Sequence, residues 1–154
     1  MYNTVLGGLF DTEDPKRVMT AESLINSIKH KVYEGFISFL TLDEILKAPH
    51  EICEKLKSLL NRSRFEIFEE TEECVELANA YLNDEIIPAK YRNDARHIAL
   101  GVYYECDFIV SWNYRHMVNI TVRRLINSTN LRMGYKSIEI VSPEEVIGYG
   151  EVGI

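Results

Sequence analysis

Apolar residues change their spacing repeatedly along the chain. Val5-Leu6-Gly7-Gly8-Leu9-Phe10 is a short apolar stretch broken by two glycines, as at a strand end. Pro15 suits the first turn of a helix running to about His30, with Val18, Leu24, Ile25 and Ile28 on one face. Val32 to Leu40, rich in β-branched and aromatic residues, predicts a strand. Thr41-Leu42-Asp43-Glu44 opens a short helix that Pro49 ends, and a second helix from about Glu51 to Leu60 carries Ile52, Leu56, Leu59 and Leu60. Phe65-Glu66-Ile67-Phe68 alternates as a strand. Thr71 to Leu82 and Asn93 to Tyr104 are helical by period, the second turning Ala95, Ile98, Ala99 and Val102 inward. Asp107 to Ser111 reads as a short buried strand, about Val118 to Leu131 as a polar helix, and Ser137 to Val141 as a last strand. Strands alternating with helices predict an α/β sandwich with a largely parallel sheet. Ligands of such sheets bind beyond the carboxyl ends of the strands. Attention therefore falls on the residues after the first strand, after Leu40 and after Val110.

The length of 154 residues suits one domain spanning residues 1–154, with a core of its own. A composition of 46% hydrophobic and 27% charged residues excludes a disordered tail or a low-complexity linker. No apolar run reaches the roughly 20 residues of a membrane span, and the opening residues lack the apolar core of a signal peptide. A soluble, cytoplasmic protein is expected. Cys53, Cys74 and Cys106 are odd in number and far apart, which predicts reduced, mostly buried thiols and not a disulfide framework or a zinc site.

Charge is distributed unevenly. The net charge is −7, and Glu66 to Glu76 holds six Glu residues. From Phe108 to Ile138 there is no Asp or Glu, while Arg115, Arg123, Arg124, Arg132 and Lys136 supply five positive charges. The C-terminal third is thus suited to face a polyanion.

Candidate chemistry gathers where the predicted strands end. If the three segments converge, Glu44, Asp94 and Asn113 share one small space, and a hard divalent cation is the usual partner of such clustered oxygens. Mg²⁺ or Mn²⁺ held there lowers the pKa of a bound water and shields the phosphate it attacks. Plainer roles compete. Thr41 and Glu44 fit an S/T-x-x-E capping box, Asp94 suits the first turn of a helix, Asn113 a turn, and Asp107 the opening of a strand.

Tyr91-Arg92-Asn93-Asp94-Ala95-Arg96-His97-Ile98-Ala99-Leu100, followed by Asp107-Phe108-Ile109-Val110-Ser111-Trp112-Asn113-Tyr114-Arg115-His116, resembles the PIN-domain family. The resemblance is to its bacterial and archaeal branch, where D-A-x-H-I-A precedes D-x-L-V-S-W-N-x-x-H. The Leu6-Gly7-Gly8-x-Phe10-Asp11 start, Leu40 to Ile45, and the closing stretch from Gly134-Tyr135 to Ser142-Pro143 also fit. The resemblance implies a three-layer α/β/α sandwich with a mostly parallel central sheet. It also implies a metal-dependent ribonuclease, often the toxin of a toxin–antitoxin pair, that commonly dimerises. It puts Glu44, Asp94 and Asn113 in the catalytic, metal-holding site, with Asp107 a weaker metal candidate.

Arg115, Arg123 and Arg124 are then expected to contact RNA phosphates. Trp112 either stacks on a base or belongs to the core. A small antitoxin-like protein is the implied partner, and a homodimer or higher oligomer the implied assembly.

The family's first strand ends in Asp followed by Thr or Ser. Here Met1-Tyr2-Asn3-Thr4-Val5 has no Asp, Asn3 is its nearest stand-in, and the strand before it is expected to be truncated. Either the true start lies upstream of Met1 or this copy has lost a metal ligand, and in both cases Mg²⁺ binding weakens. The competing expectation is a catalytically silent module that binds RNA or protein. A third is a chain that folds only as an oligomer or beside a partner, because a missing central strand exposes apolar neighbours.

Overall fold

A computed structural model describes residues 2–6, 16, 19–20, 22–24, 26, 33–63, 65–111, 113, 115 and 117–145. The order of elements is β1 (Tyr2–Leu6), β2 (Tyr33–Ser38), α1 (Phe39–Leu46), α2 (His50–Ser63), β3 (Glu66–Phe68), α3 (Glu72–Asn83), a 3₁₀ turn (Ala89–Tyr91), α4 (Arg92–Tyr103), β4 (Phe108–Val110), α5 (Ile120–Arg132) and β5 (Glu139–Val141). The described residues between Lys16 and Asn26 are helical as well. The rest of the helix expected from Pro15 to His30, including Val18, Ile25 and Ile28, lies outside the described residues.

The five strands form one sheet in the order β3-β2-β1-β4-β5, and every neighbouring pair is parallel. Alternation along each strand divides the core between the two faces. Phe36, Phe68, Ile109 and Ile140 face α3, α4 and α5, where they meet Leu77, Tyr81, Ile98, Val102 and Ile126. Ile37 and Val110 face the other way, onto Leu24, Ile45, Cys53, Leu56 and Leu60. The molecule is therefore an α/β/α sandwich, as the periodicity and the resemblance both predicted. Among the described residues, no helix is long and apolar enough to cross a membrane.

The first strand departs from expectation. β1 is central, pairing with β2 from Tyr2↔Tyr33 to Val5↔Phe36 and with β4 from Thr4↔Phe108 to Leu6↔Val110. Over Tyr2–Leu6 it has a hydrogen-bonded neighbour on each side. Asn3 fails as a stand-in for the absent Asp. It sits opposite Glu34 near the amino end of the strand, roughly 10 Å of strand rise before Leu6.

The junction of β2 and α1 is corrected too. The strand ends at Ser38 and the helix begins at Phe39, so Phe39 and Leu40 are helical. Ser38, not Thr41, is the N-cap, and its hydroxyl accepts from the Thr41 backbone N–H. Glu44 therefore lies in the second turn of α1, beyond the reach of a capping box.

Gly101 permits the close approach of α4 to the sheet. A Cβ there would lie 2.9 Å from Ile109 Cγ1 and 3.3 Å from Ile138 Cδ1.

Candidate functional site

From the central strand the chain winds outward to β2 and β3 on one side and to β4 and β5 on the other. The connections diverge between β1 and β4, and in parallel sheets such a reversal is where the ligand crevice is expected, at the carboxyl ends of the two strands. Two polar constructions stand at that end of the sheet, one after β4 and one after β2.

After β4, Ser111 is buried and continues the ladder by donating its N–H to Val141 O at 3.0 Å. Its hydroxyl accepts from the Asn113 N–H at 3.0 Å and donates to Met117 Sδ at 3.2 Å. The Asn113 carbonyl accepts from the Met117 and Val118 N–H groups at 3.0 and 2.9 Å. The loop thus closes on Asn113 from both directions. The Asn113 side chain then donates from Nδ2 to Asp94 Oδ2 at 2.9 Å. Asp94 lies in the first turn of α4, where the helix dipole favours a carboxylate. Two residues 19 positions apart in sequence, both half-buried, are in this way brought into contact.

After β2, Ser38 Oγ lies 3.1 Å from His97 Nδ1, and Ser38, Thr41 and His97 are all at most 1% exposed. Arg96, the residue between Ala95 and His97, makes a two-pronged ion pair with Glu70 at 2.9 and 3.0 Å and lies over the Phe39 ring. The Glu70 hydrogen bond raises the Arg96 pKa further above its ordinary range. Arg92, Arg96, Glu70 and Asn79 line a cavity of about 190 Å³ on the flank of α4.

The other predicted residues fall in different places. Glu44 belongs to α1, the helix that leaves the carboxyl end of β2, and its side chain lies outside the described residues. Asp107 is not brought to Asp94 and Asn113. It precedes β4 at the opposite edge of the sheet, roughly 13 Å of strand rise from Ser111, where it lines a cleft of about 400 Å³ with Glu105, Lys136 and Glu139. Its position removes it from the candidate site, since the chemistry of a parallel sheet lies at the carboxyl ends.

Arg115 is exposed two residues beyond Asn113. Arg124 is exposed on α5, while Arg123 is half-buried and donates from Nη1 to Ile140 O at 3.4 Å. Trp112 lies outside the described residues.

The Asp94 carboxylate and the Asn113 amide are hard oxygen donors of the kind that Mg²⁺ and Mn²⁺ take. The contact between them uses the amide nitrogen, so the amide oxygen is not the atom spent on Asp94. In that sense the pair fits a divalent cation. Among the described residues no three His, Cys, Asp or Glu side chains gather closely enough to hold a metal ion. Any further carboxylate must come from a side chain such as that of Glu44.

Sequence reasoning gave no role to Ser38, His97 and Ser111. Both serines fell inside the predicted strands, Val32–Leu40 and Asp107–Ser111, where a small polar residue in an apolar run was the signal available. His97 stood at i+3 from Asp94, on the flank of the apolar face of its helix.

No family model matches the chain, and no curated protein matches it. Among solved structures, the chain is similar to one in the crystal structure of VapBC2 from Rickettsia felis bound to a DNA fragment from their promoter. The similarity covers 91% of this chain and 98% of that one, with a TM-score of 0.51 and 15% sequence identity. At that identity the likeness shows the fold alone, an α/β domain with a parallel sheet.

Proposed function

We infer that the chain is a PIN-like ribonuclease domain that hydrolyses RNA phosphodiesters with a divalent cation, as the toxin half of a toxin–antitoxin pair. The observation that carries this reading is the Asp94–Asn113 contact beside the crevice of a parallel sheet. Asp94 and Glu44 would hold the cation as carboxylates, and Asn113 would serve as a neutral oxygen ligand. A bound Mg²⁺ or Mn²⁺ supplies a water of lowered pKa and shields the charge of the phosphate. In the hydrolysis, oxygen from water bonds to phosphorus, one P–O ester bond breaks, and the leaving oxygen takes up a proton. Arg115 and Arg124 would meet flanking phosphates. Arg123 contributes less because its guanidinium is partly engaged by β5. Trp112, two residues after Val110, would stack on a base. A small antitoxin-like protein and a second copy of the chain are the partners this reading calls for. The name of the VapBC2 neighbour supports the first of these.

One observation favours a second reading, a catalytically silent module that binds RNA or protein. None of the five residues of β1 is Asp or Glu, so the central strand brings no carboxylate to the crevice. Incubating the chain with single-stranded RNA and Mn²⁺ or Mg²⁺ separates the two. Cleavage that Asp94→Asn abolishes is the expected result. RNA retained but uncut by the unaltered chain would leave the silent module standing, and neither binding nor cleavage would overturn the RNA reading altogether.

A further inference from the structure

Ser38, Thr41 and His97 are polar side chains sealed where β2 ends, α1 begins and the middle of α4 packs against them. One oxygen joins all three elements. Ser38 Oγ accepts the Thr41 N–H at 3.3 Å, lies 3.5 Å from Thr41 Oγ1, and meets His97 Nδ1 at 3.1 Å. A hydroxyl has one proton and two lone pairs. With one lone pair given to Thr41, the contact with His97 runs either from the Ser38 O–H to Nδ1 or from an Nδ1–H to the second lone pair. In both tautomers the bond ties α4 to the end of β2.

The tie has a mechanical consequence. Apolar packing along α4, from Ala95 and Ile98 to Val102, tolerates small sliding motions, whereas a hydrogen bond weakens steeply once its distance and angle are lost. Each residue of helix rises about 1.5 Å. A slip of that size along the α4 axis moves Asp94 relative to Asn113 by about half the length of their 2.9 Å contact. His97 follows Asp94 by three residues on the same helix, so a fixed His97 fixes the height of Asp94. The same serine caps α1, the helix that carries Glu44.

We propose that Ser38 and His97 form a positioning pair that sets α4, and with it Asp94, in register with Asn113 and with α1. This inference rests on reading Asp94 and Asn113 as ligands of a divalent cation. His97 is 1% exposed and acts only through Asp94, so it is a positioning residue and not a catalytic one.

The test uses the full chain, labelled with ¹⁵N, in four forms: unaltered, Ser38→Ala, His97→Leu and His97→Asn. The amide of His97→Asn puts a nitrogen near the place of Nδ1. The side-chain amide signals of Asn113 are recorded without metal, and Mn²⁺ is then titrated by calorimetry beside a thermal melt. Ser38→Ala and His97→Leu should shift the Asn113 amide signals, leave those of Asn127 and Asn130 in place, and weaken Mn²⁺ binding about tenfold. His97→Asn should restore both. A lowered Tm with unmoved Asn113 signals and unchanged Mn²⁺ affinity would overturn the proposal, as would a His97→Asn variant no better than His97→Leu. If His97→Leu fails to fold, Ser38→Ala and His97→Asn decide. If the unaltered chain takes up no Mn²⁺, the metal reading fails, and the Asn113 signals still judge the positioning.

Discussion

Tyr81 offers a sharp test of how the sandwich is held together. Its side chain is fully buried on α3, and its hydroxyl donates to Asn130 Oδ1 on α5, itself fully buried. Asn130 Nδ2 donates to Asn127 Oδ1 at 3.2 Å. Asn127 grips the start of the last strand, accepting from Ile138 N–H at 2.8 Å and donating to Ile138 O at 2.9 Å. Tyr81→Phe keeps the ring and deletes the donor, leaving a buried amide oxygen without its bond from Tyr81. The cost is about 2 kcal/mol. For a chain of this length that lowers Tm by roughly 4–8 °C. Replacing both partners, with Asn130→Leu added, should recover part of the loss, because no orphaned acceptor then remains.

The pH dependence follows from the same burial. Removal from water is the largest cause raising the Tyr81 pKa well above its ordinary value. On unfolding, the phenol returns to a pKa near 10. The unfolded state therefore gives up its proton first, so the contribution is fully present below about pH 10 and is lost as the pH rises above it. Tyr81→Phe has no phenol to ionise at that position and should lose stability less steeply in alkali. Tyr104 and Tyr135, also raised chiefly by desolvation, leave a residual slope. Thermal melts from neutral to alkaline pH supply the data. An unchanged Tm in the single variant, or an alkaline slope identical to that of the unaltered chain, would refute the reasoning.

Gly101→Ala should destabilise the fold by about 1 kcal/mol. The helix preference for Ala is worth about 1 kcal/mol, but a Cβ placed 2.9 Å from a buried Ile109 carbon costs about 1–3 kcal/mol in overpacking. A chemical denaturation midpoint that rises instead would contradict it. Thr71→Ala removes the cap of α3, whose hydroxyl accepts from the Cys74 N–H at 3.3 Å. It should cost about 1 kcal/mol, seen as a Tm roughly 2–4 °C lower.

The two helices flanking the acidic stretch and the site were legible almost to the residue. Thr71 caps one of them, and Ala95, Ile98, Ala99 and Val102 mark the inner face of the other. The junction of β2 and α1 was not, because Phe36 to Leu42 runs from strand to helix with no Gly or Pro to break it. There the cap falls on Ser38, three residues before the Thr41 cap that the T-x-x-E spacing suggested. β1 was misjudged for a different reason. Asn3 is a weak strand former, and hydrogen bonding to β2 and β4 on both sides overrides that preference.

Within the candidate site, Asp94 and Asn113 stood out through the D-A-x-H-I-A and S-W-N strings. Their mutual contact emerges only once β4 lies beside β1 and α4 crosses above. Asp107 could have been set aside earlier, since an acid that opens a parallel strand lies at the wrong end of the sheet. The roles of Ser38, Ser111 and His97 depend on burial, which periodicity reports poorly for isolated polar residues.

Calorimetric titration of Mn²⁺ and Mg²⁺ into the chain, with Asp94→Asn alongside, tests the metal reading of the site most directly. Binding in the micromolar to low-millimolar range by the unaltered chain, lost in Asp94→Asn while its melt stays cooperative, is the predicted result. No metal-dependent heat in the unaltered chain, or equal binding in both, would contradict it.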